Sequence, residues 1–187
     1  AVVNSVQIQP GSSVAIVGLG GVGMAALLGA KACGAERIVA VDLSRKKLDM
    51  ALALGATEAF VADSDAVAAI RDATGGGVEQ AIELAGSVAA LQLAYGITRR
   101  GGTVVTAGLP SPTAVLQLPA LSLAAEEKAI RGSYLGSCVP SRDIPRFIRM
   151  FHRGLLPVDK LLSQRFALAD INRGFDRLRE GALVRGV

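Results

Sequence analysis

A chain of 187 residues, 51% apolar and with a net charge of +4, is long enough for one domain with a substantial core. Its positive mean hydropathy suits parallel strands buried on both faces; the uncharged stretch Gln9 to Ala30, about as long as a membrane span, is excluded as one by Pro10 and six glycines. Two distant cysteines, Cys33 and Cys138, and one histidine, His152, form neither a disulfide framework nor a zinc-finger pattern, which points to a reduced, cytoplasmic setting.

The chain starts at Ala1, without a signal peptide, and its first residues read as the tail of a helix, as expected of a fragment. Short apolar runs then alternate with helix-like stretches, the pattern of repeated βα units. The first strand is Val14 to Val17, and a helix follows from about Val22 to Cys33, stopped by Gly34. The second strand, Arg37 to Val41, ends in Asp42; Ser44 is expected to cap a helix running to about Leu54 and ended by Gly55. A short strand, Ala59 to Val61, precedes a helix from about Asp65 to Ala73 and the turn Gly75 to Gly77. The fourth strand spans Gln80 to Leu84, a helix covers Val88 to Ile97, and Gly101-Gly102 turn into the fifth strand, Thr103 to Ala107. Val115 to Leu118 reads as a short strand, Leu121 to Ala125 as a helical turn and Lys128 to Gly132 as the sixth strand. The expected fold class is α/β: a doubly wound, six-stranded parallel sheet over residues 1–135, with a C-terminal helical segment over 136–187.

From residue 128 onward the chain is basic, with 12 Lys and Arg against 5 Asp and Glu, whereas residues 1–127 hold 8 against 11. Ser141 to Arg153 is an amphipathic helix with Ile144, Phe147, Ile148 and Phe151 in one stripe and Arg142, Arg146, Arg149 and Arg153 toward the other side. Asp170 is expected to cap a last helix whose Ile171, Phe175 and Leu178 face inward. The arginines decorate helices and no aromatic stacking platform accompanies them, so no nucleic-acid partner is expected.

After the first strand comes Gly18-Leu19-Gly20-Gly21-Val22-Gly23, a G-x-G-x-x-G turn opening a helix. The first glycine permits the tight turn, the second leaves room for a pyrophosphate, and the third lets helix and strand pack closely. The helix start offers free N–H groups and the positive end of its dipole to phosphates. A glycine-rich turn alone is weak evidence, but Asp42 stands 22 residues after Gly20, at the end of the second strand. A carboxylate there accepts hydrogen bonds from ribose hydroxyls and repels a 2′-phosphate, so it argues for NAD over NADP; its bland alternative is a turn or cap residue. Arg45, Lys46 and Lys47 beside it could accept a 2′-phosphate or simply contact the ribose edge. Leu84-Ala85-Gly86-Ser87 and Ala107-Gly108-Leu109-Pro110 follow the fourth and fifth strands, where ligands of doubly wound sheets sit; either is equally an ordinary tight turn.

The segments Val14 to Leu27, Arg37 to Leu48, Leu52 to Thr57, Gly76 to Glu79, Glu83 to Gly86, Gly101 to Pro110 and Ile171 to Asp176 together resemble the coenzyme-binding (Rossmann) domain of the zinc-dependent alcohol dehydrogenases, in the medium-chain dehydrogenase/reductase superfamily. The resemblance runs through nearly the whole chain. It implies that Gly21 and Val22 offer backbone N–H groups to a pyrophosphate, with Gly18, Gly20 and Gly23 shaping the turn; that Asp42 and Lys47 hold the adenosine ribose; and that Leu84 and Ala85 flank it. It further implies that Ala107, Gly108 and Leu109 line the nicotinamide, that Leu135 adds a backbone contact, and that Arg185 pairs with the pyrophosphate. Dimerisation through the sheet edge, about Leu116 to Arg131, is implied too, and bare edge strands invite such pairing.

The resemblance places the family's catalytic and structural zincs in an N-terminal domain, none of which is expected among these 187 residues. Cys33 sits in a helix, Cys138 in a loop and His152 on an arginine-rich helix, so no metal site is expected, and no Ser–His pair or carboxylate dyad suggests other catalytic residues. The expected function is NAD(H) binding for hydride transfer between an alcohol and an aldehyde, the chain alone being inactive. A zinc-free quinone or enoyl reductase domain and an NADH-sensing module are the alternatives; Asp42 counts against the first, and a methyltransferase is disfavoured by the tandem βαβ pattern.

Overall fold

The computed structural model describes residues 1–181 and 183–187. After a π-helical turn at Val2–Val6, the chain runs β1 (Ser13–Val17), α1 (Gly21–Ala32), β2 (Arg37–Asp42), α2 (Arg45–Leu54), β3 (Glu58–Val61), α3 (Ala66–Ala73), β4 (Val78–Glu83), α4 (Val88–Ile97), β5 (Thr98–Thr106), α5 (Ala120–Ala125) and β6 (Ala129–Gly132). A 3₁₀ turn at Tyr134–Ser137 leads to α6 (Pro140–His152), and two more at Val158–Leu161 and Leu168–Asp170 lead to α7 (Ile171–Arg179). The strands form one all-parallel sheet in the order β3-β2-β1-β4-β5-β6. This is the doubly wound Rossmann arrangement.

The period of two along each strand sorts the core. Val14 and Ile16 of β1, Ile38 and Ala40 of β2, and Ile82 of β4 pack with Met24, Leu27 and Leu28 of α1 and Leu48, Ala51 and Leu54 of α2. Ala15, Val17, Val39, Val41 and Ala81 join Ile70 of α3 and Ala94 and Ile97 of α4 in a second cluster. Both faces of the sheet are therefore covered, which explains strands that are apolar throughout rather than alternating. The winding reverses between β1 and β4, and this reversal opens a crevice at the carboxyl ends of those strands. Val17 is paired with Val41 on one side and Glu83 on the other. Gly18, Asp42 and Leu84, the next residues along each strand, thus emerge side by side.

Several expectations are corrected. Residues 115–118 form no strand; the segment joins no edge of the sheet, and the carbonyl of Gln117 accepts instead from the side chain of Gln92 at 3.0 Å. β5 starts at Thr98 rather than Thr103, because Thr98 pairs with Val78 before the register slips to Gln80–Thr103 and the chain bulges at Gly101-Gly102. Ser44 and Asp170 occupy the N-cap positions of α2 and α7, but neither side chain makes a cap hydrogen bond. The functioning side-chain cap is Ser87, which accepts from the Ala90 amide at 3.2 Å. Ile171, Phe175 and Leu178 do not face inward: all three are exposed, around a shallow hollow shared with Phe166 and Leu183. On α6, Ile144 and Ile148 are likewise about half exposed. The C-terminal segment nevertheless returns to the core, where Leu161 and Val184 pack in the same cluster as α1. No helix among the described residues is long and apolar enough to cross a membrane.

Candidate dinucleotide site

The glycine turn is explained one residue at a time by what a β-carbon would meet. Gly18 has φ +93°, and a β-carbon there would lie 2.7 Å from the Ala85 amide nitrogen, so the turn after β1 presses directly on the turn after β4. At Gly23 a β-carbon would run into the Gly18 carbonyl, so this glycine lets α1 close onto the strand end. Gly21 faces the carbonyl of Val184, 2.9 Å from such a carbon. Gly20 differs from all three. Its φ of −77° suits any residue, and a β-carbon would meet no protein atom within 4 Å. No steric contact among the described residues requires a glycine at position 20, although as N-cap of α1 glycine is preferred to alanine there. The open space lies at the N-cap of α1, where the first amide bonded back along the chain is that of Met24, to the Gly20 carbonyl at 2.9 Å. The amides of the preceding turn have no upstream carbonyl to reach and point out of the helix end.

Asp42 is 11% exposed at its side chain. One oxygen accepts from the Leu19 amide at 2.7 Å and the other from the Ser44 amide at 2.9 Å, which fixes the carboxyl between the glycine turn and the start of α2. Each oxygen keeps a second lone pair. Lys47 approaches to 3.9 Å, whereas Arg45 and Lys46 are exposed. Asp42 and Lys47 line a cavity of about 660 Å³ with Gly18, Ala85, Val67 and Leu93. Val22, Leu84 and Leu135 line a second one, of about 380 Å³, with Val2 and Phe147. Leu84 and Ala85, neighbours in sequence, thus serve different cavities, and the end of β4 stands between the two. Leu135 reaches its cavity with a left-handed backbone, φ 47°.

Arg185 is exposed, and its side chain makes no ion pair among the described residues. Its backbone is fixed by Ser163, whose amide donates to the Arg185 carbonyl at 2.8 Å and whose hydroxyl accepts from the amides of Val184 and Arg185 at 3.0 and 3.3 Å. That clamp lays the C-terminal strand-like end against Gly21. Ser163 was not legible in the sequence, since its partners lie more than twenty residues away.

A second unforeseen residue is Glu83, the last of β4, 1% exposed. One carboxyl oxygen accepts from the Gly86 amide at 2.6 Å and the other from the Thr106 hydroxyl at 2.7 Å. Its main-chain carbonyl accepts from the Ala107 amide at 3.0 Å. Gly108 packs on the Gly86 backbone so closely that a β-carbon would also come within 2.8 Å of Glu83. Ala107, Gly108 and Leu109 are therefore held to the β4 turn by Glu83 and by glycine-to-glycine contact. In the sequence Glu83 stood out only at the head of the segment Glu83 to Gly86 that carries part of the resemblance, with no role attached.

Among the described residues, no three His, Cys, Asp or Glu side chains converge as metal ligands, and Cys33 and Cys138 are free thiols. Burial pushes both thiols above their ordinary pKa, the direction that makes them less reactive.

The family described as zinc-binding dehydrogenase matches residues 21–153. The chain is 38% identical to the geraniol dehydrogenase of Castellaniella defragrans, over all of this chain and 50% of that protein. It is 34% identical to the NDMA-dependent alcohol dehydrogenase of Amycolatopsis methanolica, over 96% of this chain and 50% of that one. The crystal structure of benzyl alcohol dehydrogenase from Acinetobacter calcoaceticus superposes with a TM-score of 0.96 at 34% identity, over 100% of this chain and 51% of that one. The chain spans about half the length of the curated relatives it matches. With its sheet order, its glycine turn and these matches, the chain belongs to the zinc-binding dehydrogenase family and corresponds to the coenzyme-binding Rossmann half of its alcohol dehydrogenases.

Proposed function

We propose that the crevice binds NAD(H) rather than NADP(H), as the cofactor-holding half of an enzyme that interconverts an alcohol and an aldehyde. The observation that carries this reading is the open space at Gly20, which no described protein atom fills, placed where a pyrophosphate would meet the amides of α1. Gly21 and Val22 would donate those amides, and Arg185, brought near by the Ser163 clamp, would add a cation. Asp42 would accept from the adenosine ribose hydroxyls with its remaining lone pairs, and Lys47 would lie at the same edge. The adenosine would occupy the larger cavity beside Ala85, and the nicotinamide would lie toward Leu84, Leu135 and the backbone of Ala107 to Leu109. When bound, the nicotinamide supplies the hydride donor or acceptor. The chain's own part is to bind, to orient and to exclude water.

The relatives named geraniol dehydrogenase and alcohol dehydrogenase support alcohols, oxidised to carbonyl compounds, as the substrate class of the whole enzyme. The zinc of the family would be held outside this chain, which would then bind cofactor without turning substrate over. In the whole enzyme, residues 136–187 would pack against the other half, using the exposed stripes of α6 and α7, and β6 would be the edge through which two copies pair. The two free thiols suit a reducing cytoplasm.

The test is calorimetric titration with NADH and with NADPH. NADH should bind about tenfold tighter or more, since a 2′-phosphate would face Asp42, and Asp42→Ala should narrow that gap. Equal affinity for both cofactors in the wild type would contradict the role of Asp42.

A further inference from the structure

We propose that Glu83 is a positioning residue for the nicotinamide end of the cofactor, an inference that rests on the dinucleotide reading above. A buried carboxyl is costly unless its oxygens are hydrogen-bonded, and one that served only the core would be replaced without loss by an apolar residue like its neighbour Ile82. Glu83 instead has both oxygens hydrogen-bonded. It accepts from the Gly86 amide and the Thr106 hydroxyl at 2.6 and 2.7 Å. These two groups belong to different strand ends, those of β4 and β5, and the backbone leaving β5 is the one that would meet the nicotinamide.

At 1% exposure, Glu83 does not itself reach a ligand. Its effect passes through Ala107 to Leu109. The Ala107 amide is bonded to the Glu83 carbonyl, Gly108 lies against the carboxyl, and Leu109 lies against Gly86. With the carboxyl removed, the turn after β5 is held by main-chain contacts alone and can drift relative to the turn after β4. A drift of this kind displaces the nicotinamide face of the site. The adenosine face, built by Asp42 at the end of β2 and Lys47 of α2, is left in place.

The experiment compares NADH with ADP-ribose, the same molecule without its nicotinamide. Both are titrated calorimetrically into the 187-residue chain as wild type, Glu83→Ala, Glu83→Gln and Thr106→Val, with thermal unfolding measured alongside. The chain has no Trp, so the fluorescence of bound NADH reports the nicotinamide environment directly. The wild type should bind NADH tighter than ADP-ribose. Glu83→Ala should lose about tenfold in NADH affinity, the order expected when a hydrogen-bonded brace is lost, keep its ADP-ribose affinity and change the fluorescence of bound NADH. Glu83→Gln, whose amide can accept from Gly86 and donate to Thr106, should recover most of the loss.

Equal loss of both ligands in Glu83→Ala, or loss of neither, overturns the positioning role and leaves the cofactor reading standing. A Glu83→Gln chain as weak as Glu83→Ala assigns the effect to charge and also overturns it. If Glu83→Ala does not fold, Thr106→Val decides: a lowered NADH to ADP-ribose affinity ratio supports the brace, and an unchanged ratio overturns it. A wild type that binds neither ligand overturns the cofactor reading, and the proposal with it.

Discussion

The first hundred residues and the last fifty solve the same problem in opposite ways. Helices α1 to α4 each carry an apolar face and bury it on the sheet, where Leu27, Leu48, Ile70 and Ile97 are nearly or wholly inaccessible. Helices α6 and α7 carry apolar stripes as clear as those, yet Ile144, Ile148, Phe175 and Leu178 stand about half exposed. Periodicity in a sequence establishes that a face wants covering. It does not establish that the same chain provides the cover. The N-terminal part is thus a finished core with the candidate site on its rim, and the C-terminal part is a set of struts (Ser163, Leu161 and Val184) that reach back to that rim while leaving a second surface open.

The contrast is broken or sharpened by substitution. Ile82→Ala, in the middle of β4 and wholly buried, should cost about 2–5 kcal/mol in denaturant unfolding, and Ile148→Ala, 50% exposed on α6, should stay within about 0.5 kcal/mol. A large loss at Ile148 would show that its stripe is covered in solution. Gly23→Ala, whose new methyl would enter the Gly18 carbonyl, should cost about 1–3 kcal/mol through displacement of α1, seen as a lowered Tm; an unchanged Tm would mean that the turn yields more readily than its packing suggests.

The smallest effect concerns the junction between the two parts. Asp143 opens α6 and is fully buried; it accepts from Arg142, the Val139 amide and Asn4 of the N-terminal turn. The Arg142 guanidinium first, then the Val139 amide, hold its carboxyl well below the usual carboxylate range. A carboxyl depressed on folding stabilises fully above its unfolded value, about pH 4, and loses that contribution as the pH falls toward the folded one. Asp143→Asn should therefore flatten the acid limb of the Tm profile below about pH 4 and run parallel to the wild type at higher pH. Parallel profiles throughout would deny Asp143 this role.

The order of strands and helices through residue 106, the glycine turn and Asp42 were legible because their signals are local. Alternation, a helix stop and a carboxylate at fixed spacing each lie within a few residues. The extra strand at 115–118 was misread from four residues whose apolar character has no neighbouring ladder to join. Asp42 was read as a ribose partner, but its bonds to the Leu19 and Ser44 amides depend on how two strand ends meet. The roles of Glu83 and Ser163 were not legible for the same reason: their partners, Thr106 and Val184, are distant in sequence and adjacent only once the chain has folded.

The most direct test is Gly20→Ala beside the wild type, each followed by thermal unfolding and NADH titration. With no described protein atom near the added methyl, the stability loss should be confined to the change of N-cap residue, about 1 kcal/mol, while NADH affinity should fall about tenfold or more because the methyl occupies the pyrophosphate's path. A Gly20→Ala chain that binds NADH as the wild type does would contradict the claim that this space belongs to the cofactor.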